Sequence, residues 1–279
     1  MTVVLLLVSA LAAEKDAAAF QAWLKFYGAA AAEYEIEAQD GDGGFHSLKL
    51  QPTPILQYTN PERGLQHHGA SYIWTWNGRP LCIGSIWSVV PPEDPEHRWI
   101  SNELHSLAAG PLRSRHPPRV GQRGPVPQWE TDRPGIVWVD VPDAPEPAAT
   151  ASLRLVQMRR IAEQYTARLT SNVGNEKPGD LRLLTKPLYR YPTDASEALD
   201  GGLFAYVQGT DPEVLMLLEA SKSGDGPRWR IGFARFTNTT AVVQRDGRAV
   251  WECDRARLFV GDHPYFVFLR IHPAGLDSP

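Results

Sequence analysis

Gly69 to Ser88 reads GASYIWTWNGRPLCIGSIWS, and Gly201 to Ala220 reads GGLFAYVQGTDPEVLMLLEA. Laid over one another, 132 positions apart, the two stretches put Pro80 on Pro212. Each is a pair of apolar, aromatic-rich runs with a turn signal between them. In the first the turn is Asn77-Gly78, the pairing that a type I′ hairpin favours because both central residues take positive φ. In the second, Gly209-Thr210-Asp211-Pro212 stands in its place. A hairpin written twice makes an internal duplication the first hypothesis about the whole chain.

The correspondence extends outward on both sides. Leu48-Lys49-Leu50 and Pro54-Ile55-Leu56-Gln57-Tyr58 precede the first hairpin, as Leu181-Arg182-Leu183 and Pro187-Leu188-Tyr189-Arg190-Tyr191 precede the second. Downstream, Arg98-Trp99 lies over Arg228-Trp229, and Trp129 to Arg133 (WETDR) over Trp251 to Arg255 (WECDR). Both copies then end in an apolar stretch, Ile136 to Val141 and Tyr265 to Ile271. The segment PDAPEPAAT (142–150) is the seam, rich in Pro and Ala with no apolar period. Each copy opens with a helical stripe: Phe20, Trp23, Tyr27, Ala31 and Tyr34 in the first, Leu155, Met158, Ile161, Tyr165 and Leu169 in the second. The pattern predicts an α+β fold with an internal duplication. Each copy would be one helix packed on a curved antiparallel sheet of about five strands, cystatin-like or NTF2-like in outline.

Composition sets the class. The chain has 279 residues, 43% hydrophobic and 22% charged, with net charge −4. That is an ordinary globular balance, which excludes a disordered or collagen-like chain. A slightly acidic surface gives no general attraction to nucleic acid. The apolar run Val3 to Val8, followed by Ala10-Leu11-Ala12 and charges from Glu14 onward, reads as a signal peptide over residues 1–13. A first repeat over 14–147 and a second over 148–279 follow from it, with a secreted or periplasmic location. No run approaches the roughly 20 apolar residues of a transmembrane helix. Two cysteines, Cys82 in an expected strand and Cys253 in a turn, allow one disulfide or two free thiols. Neither zinc-ligand spacing nor a nucleotide-binding glycine motif occurs, so no cofactor is expected.

LRLLTKPLYRY (181–191), the second hairpin, WRIGFARFT (229–237), YTNPERG (58–64), HGASYIWTWNGRP (68–80) and NELHSLAAGPL (102–112) together resemble a family of uncharacterised, exported bacterial proteins. The resemblance covers most of the chain after the leader. It implies a shared architecture and an exported location; it implies no activity, ligand or catalytic residue.

Candidate chemistry comes from comparing the copies. Alternation along Trp99–Leu107 puts Ser101, Glu103 and His105 on one face. Glu103 lies over Phe233 and His105 over Arg235; if that face is inward in the second copy, Glu103 and His105 point at the corresponding interior of the first. A carboxylate beside an imidazole suits general-base chemistry, with Glu103 and His105 as the catalytic candidates. His67 and His68 stand just before the first hairpin and could join Glu103 and His105 at a metal, but adjacent strand residues point apart and make a poor metal pair. The plainer reading of Glu103 and His105 is a satisfied buried polar pair. Alternation also places Tyr72, Trp74, Trp76, Ile83 and Trp87 on one face, with Cys82 on the other. Tyr72, Trp74, Trp76 and Trp87 are then the ligand-binding candidates, because Tyr and Trp combine area with a polar handle. The basic stretch Arg113, Arg115, His116, Arg119 and Arg123 reads as a solvated loop. The sequence thus points to an exported, non-enzymatic binding module for an unidentified small molecule or envelope protein. The alternative is a hydrolase-like enzyme built on Glu103 and His105, with metal assistance as an option.

Overall fold

The computed structural model describes residues 18–39, 43–60, 66–116, 128–171, 177–192, 198–222, 226–256 and 262–275. The expected leader, residues 61–64 of YTNPERG, and Arg119 and Arg123 of the basic stretch lie outside them.

The first half runs α1 (18–32), β1 (Glu35–Gln39), β2 (Phe45–Ser47), β3 (Lys49–Leu50), β4 (Leu56–Thr59), β5 (His68–Trp76), β6 (Arg79–Val89), β7 (His97–Ser106), β8 (Leu112–Arg115), β9 (Gln128–Thr131) and β10 (Val139–Asp140). The second runs α2 (Ala151–Ala162), β11 (Tyr165–Leu169), β12 (Gly179–Leu183), β13 (Tyr189–Pro192), β14 (Ala198–Gln208), β15 (Asp211–Ser221), β16 (Arg228–Arg235), β17 (Ala241–Arg245), β18 (Arg248–Cys253) and β19 (Tyr265–Pro273).

The α+β expectation is overturned. Among the described residues, strands take 53% and helices 12%. The protein is mostly β, with antiparallel sheets of four strands (β2-β1-β8-β9), six (β19-β7-β6-β5-β3, with β4 on β5) and nine (β10-β16-β15-β14-β12-β11-β17-β18, with β13 on β14). A cystatin-like or NTF2-like unit closes one sheet face with a helix and needs little else. Here the central strands are covered on both faces, so β15 is buried along its whole length. Ile73 and Ile83 pack with Leu203, Ala205, Leu215 and Leu217, joining the faces of β5–β6 and β14–β15 into one apolar layer. Each of these isoleucines and leucines contributes about 1.5–3 kcal/mol by leaving water, and sheet-on-sheet packing is the architecture that results. The helices cover the outer faces: α1 through Trp23, Leu24 and Tyr27, α2 through Met158, Ile161 and Ala162.

The second helix is also shorter than its stripe. It begins at Thr150, whose side chain accepts from the Leu153 N–H, and ends at Ala162. Tyr165 and Leu169 belong to β11, where Tyr165, Ala167 and Leu169 alternate inward. Period-2 residues placed just after a helix happen to continue its 3–4 spacing.

Register explains another correction. Asn77 (φ 49°) and Gly78 (φ 80°) form the expected turn. Trp76 pairs with Arg79 and Thr75 with Pro80, but Trp74 then pairs with Cys82, leaving Leu81 as a bulge. One extra residue carries every later side chain to the opposite face. Cys82 therefore shares a face with Tyr72 and Trp74, while Ile83 and Trp87 turn to the other. The second hairpin carries the same irregularity: Val207 pairs with Pro212 and Tyr206 with Val214, skipping Glu213.

Two features tie the halves together. The short β10 pairs with β16, and β19 pairs along its length with β7, so each half completes the other's sheet. At one end of the shared layer Glu219, fully buried, receives Arg79 Nε at 2.9 Å and Arg230 Nη2 at 2.7 Å. Tyr191 donates its hydroxyl to the same carboxylate at 2.7 Å. The two guanidiniums flank the Trp138 ring, 5.6 and 4.8 Å from its centroid.

Two glycines lie beneath tyrosines. Gly201 pairs with Tyr191 and Gly69 with Tyr58. A Cβ on Gly201 would sit 2.2 Å from the Tyr191 ring, and one on Gly69 would sit 2.5 Å from the Trp87 Cβ and 2.7 Å from the Tyr58 ring. Gly201→Ala and Gly69→Ala are each expected to cost about 1–3 kcal/mol by overpacking, read as lower urea midpoints. Unchanged midpoints would show that the neighbouring side chains and strands give way without cost.

Candidate functional site

Where the halves meet, a cleft of about 580 Å³ opens. His105 reaches it from the end of β7, and Phe233, Ala234 and Arg235 from β16. Trp251 and Cys253 line it from β18, and Pro134 and Val137 from the crossing segment before β10. His263 and Pro264, just ahead of β19, close the remaining side. The cleft therefore depends on the exchange of terminal strands between the halves.

Arg235 is only 5% exposed. Its Nε donates to the Thr237 carbonyl at 2.9 Å, and its Nη2 to the Thr239 and Asp254 carbonyls at 2.8 and 2.7 Å. The guanidinium lies 5.1 Å from the Tyr265 ring centroid. The loop that wraps it is itself fastened, with Thr239 Oγ1 donating to the Ser171 carbonyl at 3.0 Å. A buried cation is thus solvated by backbone dipoles, and no carboxylate of the described residues forms an ion pair with it.

Two imidazoles flank this cation. His105 is buried, with Nδ1 2.6 Å from the Ser106 carbonyl oxygen. Nδ1 therefore carries the proton, and Nε2 keeps its lone pair. Burial lowers the His105 pKa to about 3; Arg235 and His263 push it the same way, against the Ser106 hydrogen bond. His263 accepts the Tyr265 backbone N–H on Nδ1 at 3.0 Å, which leaves the neutral ring's proton on Nε2. Its pKa is also lowered, by burial first and then by Arg235. Phe233 and Trp251 form the apolar wall, with ring centroids 6.2 Å apart.

The sequence candidates fall as follows. Glu103 and His105 do share a face of β7, but they open toward different spaces. Glu103 accepts a hydrogen bond from the Tyr265 hydroxyl. It lines a separate cavity of about 40 Å³ with Ser101, Trp87, Asp211 and Glu213. Ser106 faces away from His105, and its Oγ accepts the Ala108 N–H at 3.2 Å. His68 points under α1, with Nδ1 2.9 Å from the Tyr27 hydroxyl and Nε2 3.0 Å from Arg98 Nη1. His67 points the other way, 3.9 Å from the Asp211 carboxylate. Among the described residues no group of three His, Cys, Asp or Glu has the geometry to hold a metal ion.

Of the aromatic candidates, Tyr72 and Trp74 are core residues, each 1% exposed. Trp76 is half-buried and stacks on His46 at 4.3 Å, while Trp87 packs 5.0 Å from His67. None of the four lines the large cleft. Cys82 and Cys253 are free thiols. Burial raises the pKa of both, so neither is a ready thiolate.

Sequence reasoning reached His105 and missed Arg235, Trp251 and His263. The overlay of His105 on Arg235 was the available signal: these matched positions come together in one cleft. No known family matches the chain, and neither a curated protein nor a solved structure is detectably similar to it.

Proposed function

We propose that the chain is a small-molecule binding module, built from two similar units over 14–147 and 148–279, that takes its ligand into the cleft between them. The observation that carries this reading is the cleft itself. Its volume lies in the range of small-molecule sites, roughly 300–1,000 Å³, and it combines apolar walls with a few convergent polar groups. Matching strand orders support the two-unit organisation: β19-β7-β6-β5-β3 on one side and β10-β16-β15-β14-β12 on the other. The leader expected over residues 1–13 and the resemblance to exported bacterial proteins support an exported setting. The hydrolase-like alternative has less behind it. His105 is held neutral with Nδ1 on a backbone carbonyl, and Glu103 is engaged by Tyr265.

Trp251 supplies a reporter within the wall. Screening small organic acids, amides, amines and sugars against the full chain is expected to yield members that quench tryptophan emission and raise Tm. The quench should be lost in Trp251→Phe while the rise in Tm remains. A screen in which no compound moves either signal would remove the basis for the reading.

A further inference from the structure

Given that the cleft is a binding site, its charge distribution narrows the ligand. A guanidinium offers five N–H donors. Arg235 spends three, one from Nε and two from Nη2, on the carbonyls of Thr237, Thr239 and Asp254. The Nη1 pair takes no part in those bonds. Burying a full charge without a counter-ion is costly, and carbonyl dipoles offset only part of it. His105 and His263 add no charge, because each is held neutral beside the arginine.

The other charges stand at the rim. Arg133 pairs with Asp262 at 3.4 Å, both more than 60% exposed. Glu252, Asp254 and Arg255 are exposed as well. Exposed acids are well solvated and screened, so they compensate Arg235 weakly. With three acids (Glu252, Asp254 and Asp262) set against two arginines (Arg133 and Arg255), the rim adds no net attraction for a multiply charged anion such as phosphate. The Phe233 and Trp251 rings beside Arg235 favour a ligand with an apolar body.

We propose that the cleft binds an organic monocarboxylate, with its carboxylate on Arg235 and its apolar body against Phe233 and Trp251. The inference rests on the binding reading above, and the experiment separates the two. Benzoate, benzamide and inorganic phosphate are titrated against the full chain, with Trp251 emission and Tm as readouts. Benzoate is expected to bind at least about tenfold more tightly than benzamide or phosphate, since charge-assisted bonds are roughly twice as strong as neutral ones. Arg235→Met should abolish the preference for benzoate over benzamide, and Arg235→Lys should keep part of it.

Equal affinity for benzoate and benzamide in the unaltered protein overturns the carboxylate assignment and leaves the binding reading standing. A preference that survives in Arg235→Met also overturns it, as does phosphate binding as tightly as benzoate. If Arg235→Met does not fold, the three-probe comparison on the unaltered protein still decides. Benzoate that fails to bind while neutral compounds quench Trp251 refutes the carboxylate alone. Silence from every compound of the wider screen refutes the binding reading as well.

Discussion

Glu219→Ala is expected to lower the stability of the protein by about 3–5 kcal/mol, the usual cost of removing one partner from a buried ion pair. The carboxylate has no solvent exposure and accepts from Arg79, Arg230 and Tyr191. Alanine would leave two guanidiniums near the Trp138 ring without the carboxylate that both of them contact. Arg79 belongs to the tip of the first hairpin and Glu219 to the second, so the loss falls on the junction of the halves. A urea titration followed by far-UV circular dichroism gives the number. Asp140→Ala serves as the control: its bridge to Arg228 at 2.8 Å is roughly half exposed and should be worth less than about 1 kcal/mol. Equal effects from the two substitutions would show that burial adds nothing at Glu219. Replacing Glu219 by Leu together with Arg79 and Arg230 by Met should cost less than Glu219→Ala, because no charge is left unmatched.

Mild acid should destabilise the protein well above the range in which carboxylates titrate. Burial lowers the His68 pKa to about 4 and that of His105 to about 3, from an ordinary value of 6.5. Below pH 6.5 the unfolded chain takes up protons at both positions and the folded chain does not. Stability from these residues is therefore complete above pH 6.5 and falls as the pH drops toward 4 and 3. The slope is roughly 1.4 kcal/mol per pH unit for each proton. Between pH 6 and pH 4 the pair removes several kcal/mol, a large share of a typical stability of 5–15 kcal/mol. Urea midpoints at pH 7, 6, 5 and 4 test this, and His68→Asn with His105→Asn should flatten the trend. A midpoint constant from pH 7 to pH 5 would mean that both rings take up protons as readily in the folded state as in the unfolded chain.

The first hairpin turn was legible because its chemistry is strict. Asn77-Gly78 shows the paired positive φ values that a type I′ turn needs. The helix stripes were legible too, although period-2 residues of β11 extended the second one falsely. What escaped was one-residue geometry and long-range pairing. Leu81 and Glu213 carry no mark of a bulge, yet each decides which face the rest of its hairpin presents. An apolar strand buried on both faces reads the same whether a helix or a second sheet covers it, so the α+β expectation had no internal check. At the site, His105 stood out as a polar residue in an apolar strand. Arg235 did not, because one arginine at a strand end looks like a surface residue until its backbone cage is seen.

The pairing of β19 with β7 has a consequence for how the chain is made. During synthesis β7 emerges early, but the strand that pairs with its free edge is not complete until Pro273 has left the ribosome. At about 5–20 residues per second, that edge stays open for roughly ten seconds or more as a template for unwanted pairing. Ribosomal stalling or proteolytic loss over 265–273 would uncover the first half's sheet, even though the missing residues lie far along the chain.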